Sequence, residues 1–180
     1  SWETSGSPRI VDYSFSGFHS AQNDIELISG CNLYFSNGGG PESVAIASRR
    51  NIIKLNQIPI GDEHLNNFGI WLPKLHKRTN TEKYLNLSEI CKINLQKSYF
   101  SEDYVKLGID LCQNEAGDIL NAFLDYLKYK NSTFSEDDKK VIEKYHKVRK
   151  IIFEKWGILI NKNNFIAPSF LMKYKYLLDL

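Results

Sequence analysis

The 180-residue chain has no run of about 18 consecutive apolar residues, the length a helix needs to cross a bilayer. No membrane span is therefore expected. It also lacks a strong charge of one sign: 23 Lys and Arg face 21 Asp and Glu, a net charge of +2. That excludes a protein drawn to polyanions by its overall charge, and it excludes an acidic tail protein. Cysteine is scarce. Cys31, Cys91 and Cys112 are odd in number and widely spaced, with no Cys-x-x-Cys pair and no Cys/His cluster at zinc spacing. Reduced, mostly buried thiols are expected, and with them a cytoplasmic or another reducing compartment. No internal repeat or low-complexity tract is visible.

What remains is an ordinary globular composition, 42% hydrophobic and 24% charged. The 13% aromatic content argues against global disorder. A chain of this length can bury about 70% of the surface it exposes when unfolded, so neither a disulfide nor a metal is needed for folding. Residues 1–8, opening Ser-Trp-Glu-Thr-Ser-Gly-Ser, read as a tag or a disordered start. Residues 9–180 read as a single α+β domain. Residues 9–87 form a small sheet region with one buried helix, and residues 88–180 form a helical half.

Residues 10–15, 25–28 and 32–35 carry apolar patterns of strand type. Asn37-Gly38-Gly39-Gly40-Pro41 then stops the chain, and Pro41 with Glu42 suits the first turn of a helix. Its apolar positions predict a buried helix running to about Gln57 and ended by Pro59. A short strand is expected over residues 68–72, a basic loop over 73–83 and a second short strand over 84–87. Residues 88–96 fit strand and helix equally. Ser101 and Ser135 read as helix caps, each followed by acids in the first turn. Val141, Tyr145, Val148, Ile152 and Trp156 form an amphipathic stripe, and a last helix begins at Pro168 or Ser169.

The densest polar chemistry lies in Ile60-Gly61-Asp62-Glu63-His64-Leu65-Asn66-Asn67-Phe68. An Asp and an Asn five residues apart suit phosphoryl transfer. The Asp orients the acceptor hydroxyl and takes its proton, and the Asn holds a metal ion. The run Gly-Asp-x-His-x-x-Asn resembles the catalytic loop of phosphatidylinositol-kinase-like enzymes and of HipA-type toxin kinases. The resemblance covers about ten residues and implies ATP and Mg2+ as cofactors. It also implies Asp62 as catalytic Asp, His64 as loop histidine and Asn67 as metal ligand. Those kinases place a metal-binding Asp on the next strand; Tyr84-Leu85-Asn86-Leu87-Ser88-Glu89 stands there, and only Glu89 can substitute. Only about forty residues precede the glycine-rich turn, so a kinase amino-terminal lobe would have to come from a further segment or a partner chain.

Two other features carry candidate chemistry. Ser29-Gly30-Cys31 resembles the nucleophile motif of toxin deamidases, with His19 as the one imidazole on that side of residue 64. The run from Lys139 to Lys162 is basic, and Lys140, Lys144, Lys147 and Lys155 fall opposite the apolar stripe. Such a face can neutralise phosphates. It defines the alternative function, a non-catalytic module binding nucleic acid or a partner protein.

Overall fold

A computed structural model describes residues 7–61, 69–81, 83–154 and 163–180. The α+β class expected from the sequence holds, with a small sheet region and several helices. The elements in chain order are α1 (Ala21–Gly30), β1 (Leu33–Ser36), α2 (Gly40–Ala47), β2 (Asn51–Gln57), β3 (Gly69–Pro73), β4 (Leu75–Arg78) and α3 (Leu87–Lys92). Then follow α4 (Ser101–Lys106), β5 (Ile109–Cys112), α5 (Ala116–Lys130), α6 (Glu136–Phe153), β6 (Asn164–Ile166) and α7 (Pro168–Lys173). Short 3-10 turns occupy Tyr13–Phe15 and Lys175–Leu178.

The main sheet is four-stranded, in the order β1-β2-β3-β6, and every neighbouring pair is parallel. Parallel strands need cover on both faces. Alternation along β2 supplies it. Ile52 packs with Ala45 of α2 and Ile28 of α1, while Ile53 joins the main core on the other side. On that second face Phe35 of β1 meets Phe123 of α5, with ring centroids 6.1 Å apart. Buried acids tie the helices together: Asp125 of α5 accepts from the Ser169 amide at 2.9 Å, and Asp118 meets the Lys173 ammonium at 2.8 Å.

Several elements differ from the sequence expectation. Residues 25–28 lie in α1 rather than a strand, because Ser20 caps a helix by accepting from the Asn23 amide at 3.1 Å. Residues 10–15 do not form a strand either. Tyr13 bonds locally to the Ser20 backbone, and the Ser16 hydroxyl donates to the Tyr13 carbonyl at 2.8 Å. The helix expected over 41–57 ends at Ala47, and β2 follows. Arg49 takes a positive φ of 56°, and the Arg50 amide closes on the Ala45 carbonyl at 2.9 Å, a left-handed helix stop. The β-branched pair Ile52-Ile53 then enters the sheet.

Residues 75–78, expected as loop, form β4, antiparallel to β5. That partner strand interrupts the helical half, as β6 does near the end. Residues 84–87 contribute one bridge, Tyr84 to Lys77, and the ambiguous segment resolves into helix α3. Ser101 is the first residue of α4 rather than its cap, whereas Ser135 caps α6 in a full capping box with Asp138. Among the described residues no helix is long and apolar enough to cross a membrane.

Candidate functional site

Asp62, His64, Asn67 and Lys155, four of the residues singled out by sequence, lie outside the described residues. Glu89 lies within them, at the start of α3. Its Oε1 accepts from the Lys83 ammonium at 2.6 Å and its Oε2 from the Asn86 amide at 3.0 Å. The Lys83 hydrogen bond, opposed by partial burial, holds this carboxyl below the usual range. The Glu89 amide in turn donates to Asn86 Oδ1 at 2.8 Å, so the pair forms a capping box. Among the described residues no group of three or more His, Cys, Asp or Glu is placed to hold a metal.

Cys31 is half-buried rather than mostly buried, and its thiol donates to the Ile28 carbonyl at 3.1 Å. The His19 imidazole lies 3.7 Å from Asp24 instead. Cys91 is buried and Cys112 half-buried, and all three cysteines are free. Burial pushes the Cys91 thiol up to about 12, which makes it a poor nucleophile. On α6, Lys140, Lys144 and Lys147 are exposed, and Lys140 and Lys144 share a groove with the stripe residue Val141. Lys147 pairs with Glu143 at 2.8 Å, and Lys140 stands 3.6 Å from Asp137.

The sequence did not single out a polar cleft beside the main sheet. It opens at the carboxyl ends of β1 and β2 and has a volume of about 400 Å3. Asn37, Gly38, Gly39 and Glu42 of the β1–α2 connection line one wall, and Lys54, Asn56, Gln57 and Ile58 of β2 and its exit line another. Lys74, Tyr99 and Gln113 complete it. Gly39 has φ 104° and ψ −179°, a conformation that only glycine adopts readily, and it caps α2 without a side chain. At this helix start the Gly38 amide donates to the Ser36 hydroxyl, Pro41 has no N–H and the Glu42 amide donates to the Gly39 carbonyl at 3.2 Å, so the dipole of α2 rather than a row of free amides faces the turn.

Beneath the turn lies a buried polar chain. The Ser36 hydroxyl donates to Glu42 and accepts from the Gly38 amide at 2.9 Å. The other Glu42 oxygen meets the Lys54 ammonium at 2.7 Å, and both side chains are under one-tenth exposed. The chain pins the glycine turn from below and cancels the Glu42 charge. Lys74 has no carboxylate partner among the described residues, so the described lining carries one positive charge beyond the Glu42–Lys54 pair.

A bulge in β2 shapes the far wall. Lys54 pairs with Trp71 and Gln57 with Pro73, so β2 carries one residue more than β3 over this stretch. Asn56 absorbs the excess with a positive φ of 52°. Its amide donates to the Asn114 side chain at 2.6 Å, the Asn114 amide returns the bond at 2.7 Å, and the Asn56 side chain donates to Asn37 at 3.1 Å. This network fixes carboxamides around the opening. Lys54 was missed because residues 41–57 read as one helix, on which it is a surface lysine; the Ile-Ile pair before it was the available strand signal. Compared with protein-family models, curated proteins and solved structures, the chain matches none.

Proposed function

We propose that the domain binds a phosphate-bearing nucleotide in the cleft, with a phosphate at the Gly38–Gly40 turn beside Lys74. The observation that carries this reading is Lys74, without a carboxylate partner among the described residues, lining one cavity with the glycine turn that starts α2. The positive end of a helix dipole favours anions, and parallel sheets bind ligands outside the carboxyl ends of their strands. Asn37, Asn56, Gln57 and Gln113 are donors and acceptors of the kind sugar hydroxyls use. Tyr99, 56% exposed at the rim, is a ring on which a base can stack.

Kinase-like phosphoryl transfer from ATP is the activity that residues 60–68 would add. That segment follows Gln57 and Ile58, which line the cavity. In this proposal Asp62 and His64 act on the acceptor hydroxyl and Asn67 holds Mg2+. Glu89 joins only by giving up Lys83 and its cap.

Calorimetric titration with ATP, AMP, ribose 5-phosphate and inorganic phosphate, with and without Mg2+, tests the reading. A nucleotide Kd below about 1 mM is expected, weakened at least tenfold in Lys74→Ala. The reading is overturned if none of the four binds or if Lys74→Ala binds as tightly. Transfer of a labelled γ-phosphate, lost in Asp62→Asn with binding retained, supports the kinase-like step; binding without transfer removes that step alone.

A further inference from the structure

A second cavity, of about 490 Å3, lies between the first half of α6 and the carboxy-terminal turns. It shares no residue with the glycine-turn cleft. Its accessible apolar wall is Val141 and Met172, backed by the buried Leu171 and Leu178, and Lys140, Lys144 and Lys175 line it beside them. All three lysines are exposed. Asp137, 3.6 Å from Lys140, is the one acid in the lining, and neither Lys144 nor Lys175 has an ion-pair partner among the described residues.

A nucleic-acid backbone would use the cations and leave the apolar wall uncovered. A neutral hydrophobe would use the wall and desolvate the cations without pairing them, which is costly. An acidic segment with apolar anchors satisfies both. We propose that this groove docks an acidic segment of a partner protein. The partner's leucine-type side chains enter against Val141 and Met172, and its carboxylates meet Lys140, Lys144 and Lys175. Amphipathic helices dock in this way, with anchors at i and i+4. Met172 suits the wall, because an unbranched thioether adapts to the anchor it meets. Lys147 lies outside the groove and already pairs with Glu143 at 2.8 Å, so it contributes little.

The probe is a synthetic Glu/Ala-rich peptide with leucines at i and i+4, titrated into the full chain while amide NMR shifts are followed. Two controls are the same peptide with both leucines replaced by serine, and an oligouridine RNA. Shifts are expected in residues 137–144 and 171–178 and not in residues 37–42, with affinity falling at least tenfold for the serine peptide. The exposed-site variants Lys140→Glu/Lys144→Glu and, separately, Lys175→Glu should weaken the leucine peptide without changing the rest of the spectrum. Three outcomes overturn the proposal: no shifts at about 1 mM peptide, equal binding of the serine peptide, or tighter binding of the RNA with its shifts in residues 137–144 and 171–178. Each is independent of whether a nucleotide occupies the other cleft.

Discussion

At the scale of single residues, the Glu42–Lys54 pair sets the cost of building the cleft. Two charges are withdrawn from water at 2.7 Å, and each depends on the other. Removing one partner of such a pair costs about 3–5 kcal/mol, because the survivor stays buried and uncompensated; replacing both with neutral groups is often close to neutral. Lys54→Met should therefore lower the urea midpoint sharply, and Glu42→Gln/Lys54→Met should recover most of the loss. A double variant no better than the worse single one would contradict the pairing.

His76 makes a second residue-scale prediction. Burial drives its imidazole down to about 4 from an ordinary 6.5, while the Lys74 carbonyl, 2.9 Å from Nδ1, works the other way and the Lys74 charge adds to the lowering. The folded state therefore holds His76 neutral through a window in which the unfolded chain takes up a proton. The unfolded state binds more protons there, so stability falls as pH drops from about 6.5 to about 4, by up to about 3 kcal/mol. Urea melts across that range should show the loss, and His76→Leu should flatten the His76 part of the slope whatever it does to absolute stability.

At the scale of elements, the glycine turn is the part whose geometry the chain cannot change. A Cβ on Gly39 would meet nothing closer than Pro41 Cδ at 4.0 Å, so space is not what keeps it glycine. Its φ of 104° is, and forcing an L-residue there costs about 1–3 kcal/mol. Gly39→Ala should therefore lose that stability and weaken nucleotide binding at least tenfold. Gly117→Ala is the control: it sits in α5, where an added Cβ would meet no heavy atom within 4 Å beyond its own helix backbone and chain neighbours, and it should be neutral or stabilising by up to about 1 kcal/mol. Calorimetric melting and nucleotide titration of the two variants separate a strained turn from a general intolerance of glycine loss.

Elements were legible in the sequence to the degree that local signals decided them. Ser135 with Asp138 and the Val141–Ile152 stripe specify α6 alone, and Pro168 starts α7 as expected. Residues 25–28 and 51–57 carry apolar patterns that fit helix and strand alike, and there the structure follows neighbours. Ser20 decides the first; Arg49 and the parallel partners β1 and β3 decide the second. Strand β4 carries Lys77 and Arg78 and reads as loop because its partner β5 lies some thirty residues on. The cleft was illegible for the same reason. Its glycines stood out, but Lys54, Asn56 and Lys74 become neighbours only through the register of the sheet and the bulge in β2.

At the scale of the whole molecule, the cleft is assembled from residues 37–42, 54–58, 74, 99 and 113, which different elements carry. Unfolding the chain disperses them, so a ligand that bridges them binds the native state and not the unfolded one. Stabilisation then follows mass action, about 2.7 kcal/mol at a free concentration one hundred times Kd. For a domain of this length each kcal/mol raises the melting temperature by about 2–4 °C. A nucleotide in the cleft should therefore raise it by about 5–11 °C at that concentration, and the rise should grow with the logarithm of concentration. Gly39→Ala and Lys74→Ala should shrink the shift in proportion to their lost affinity. Lys140→Glu/Lys144→Glu, on the far groove, should leave it unchanged. If all the variants reduced the shift alike, nucleotides would be acting on the protein as diffuse polyanions, and the cleft would not be where they bind.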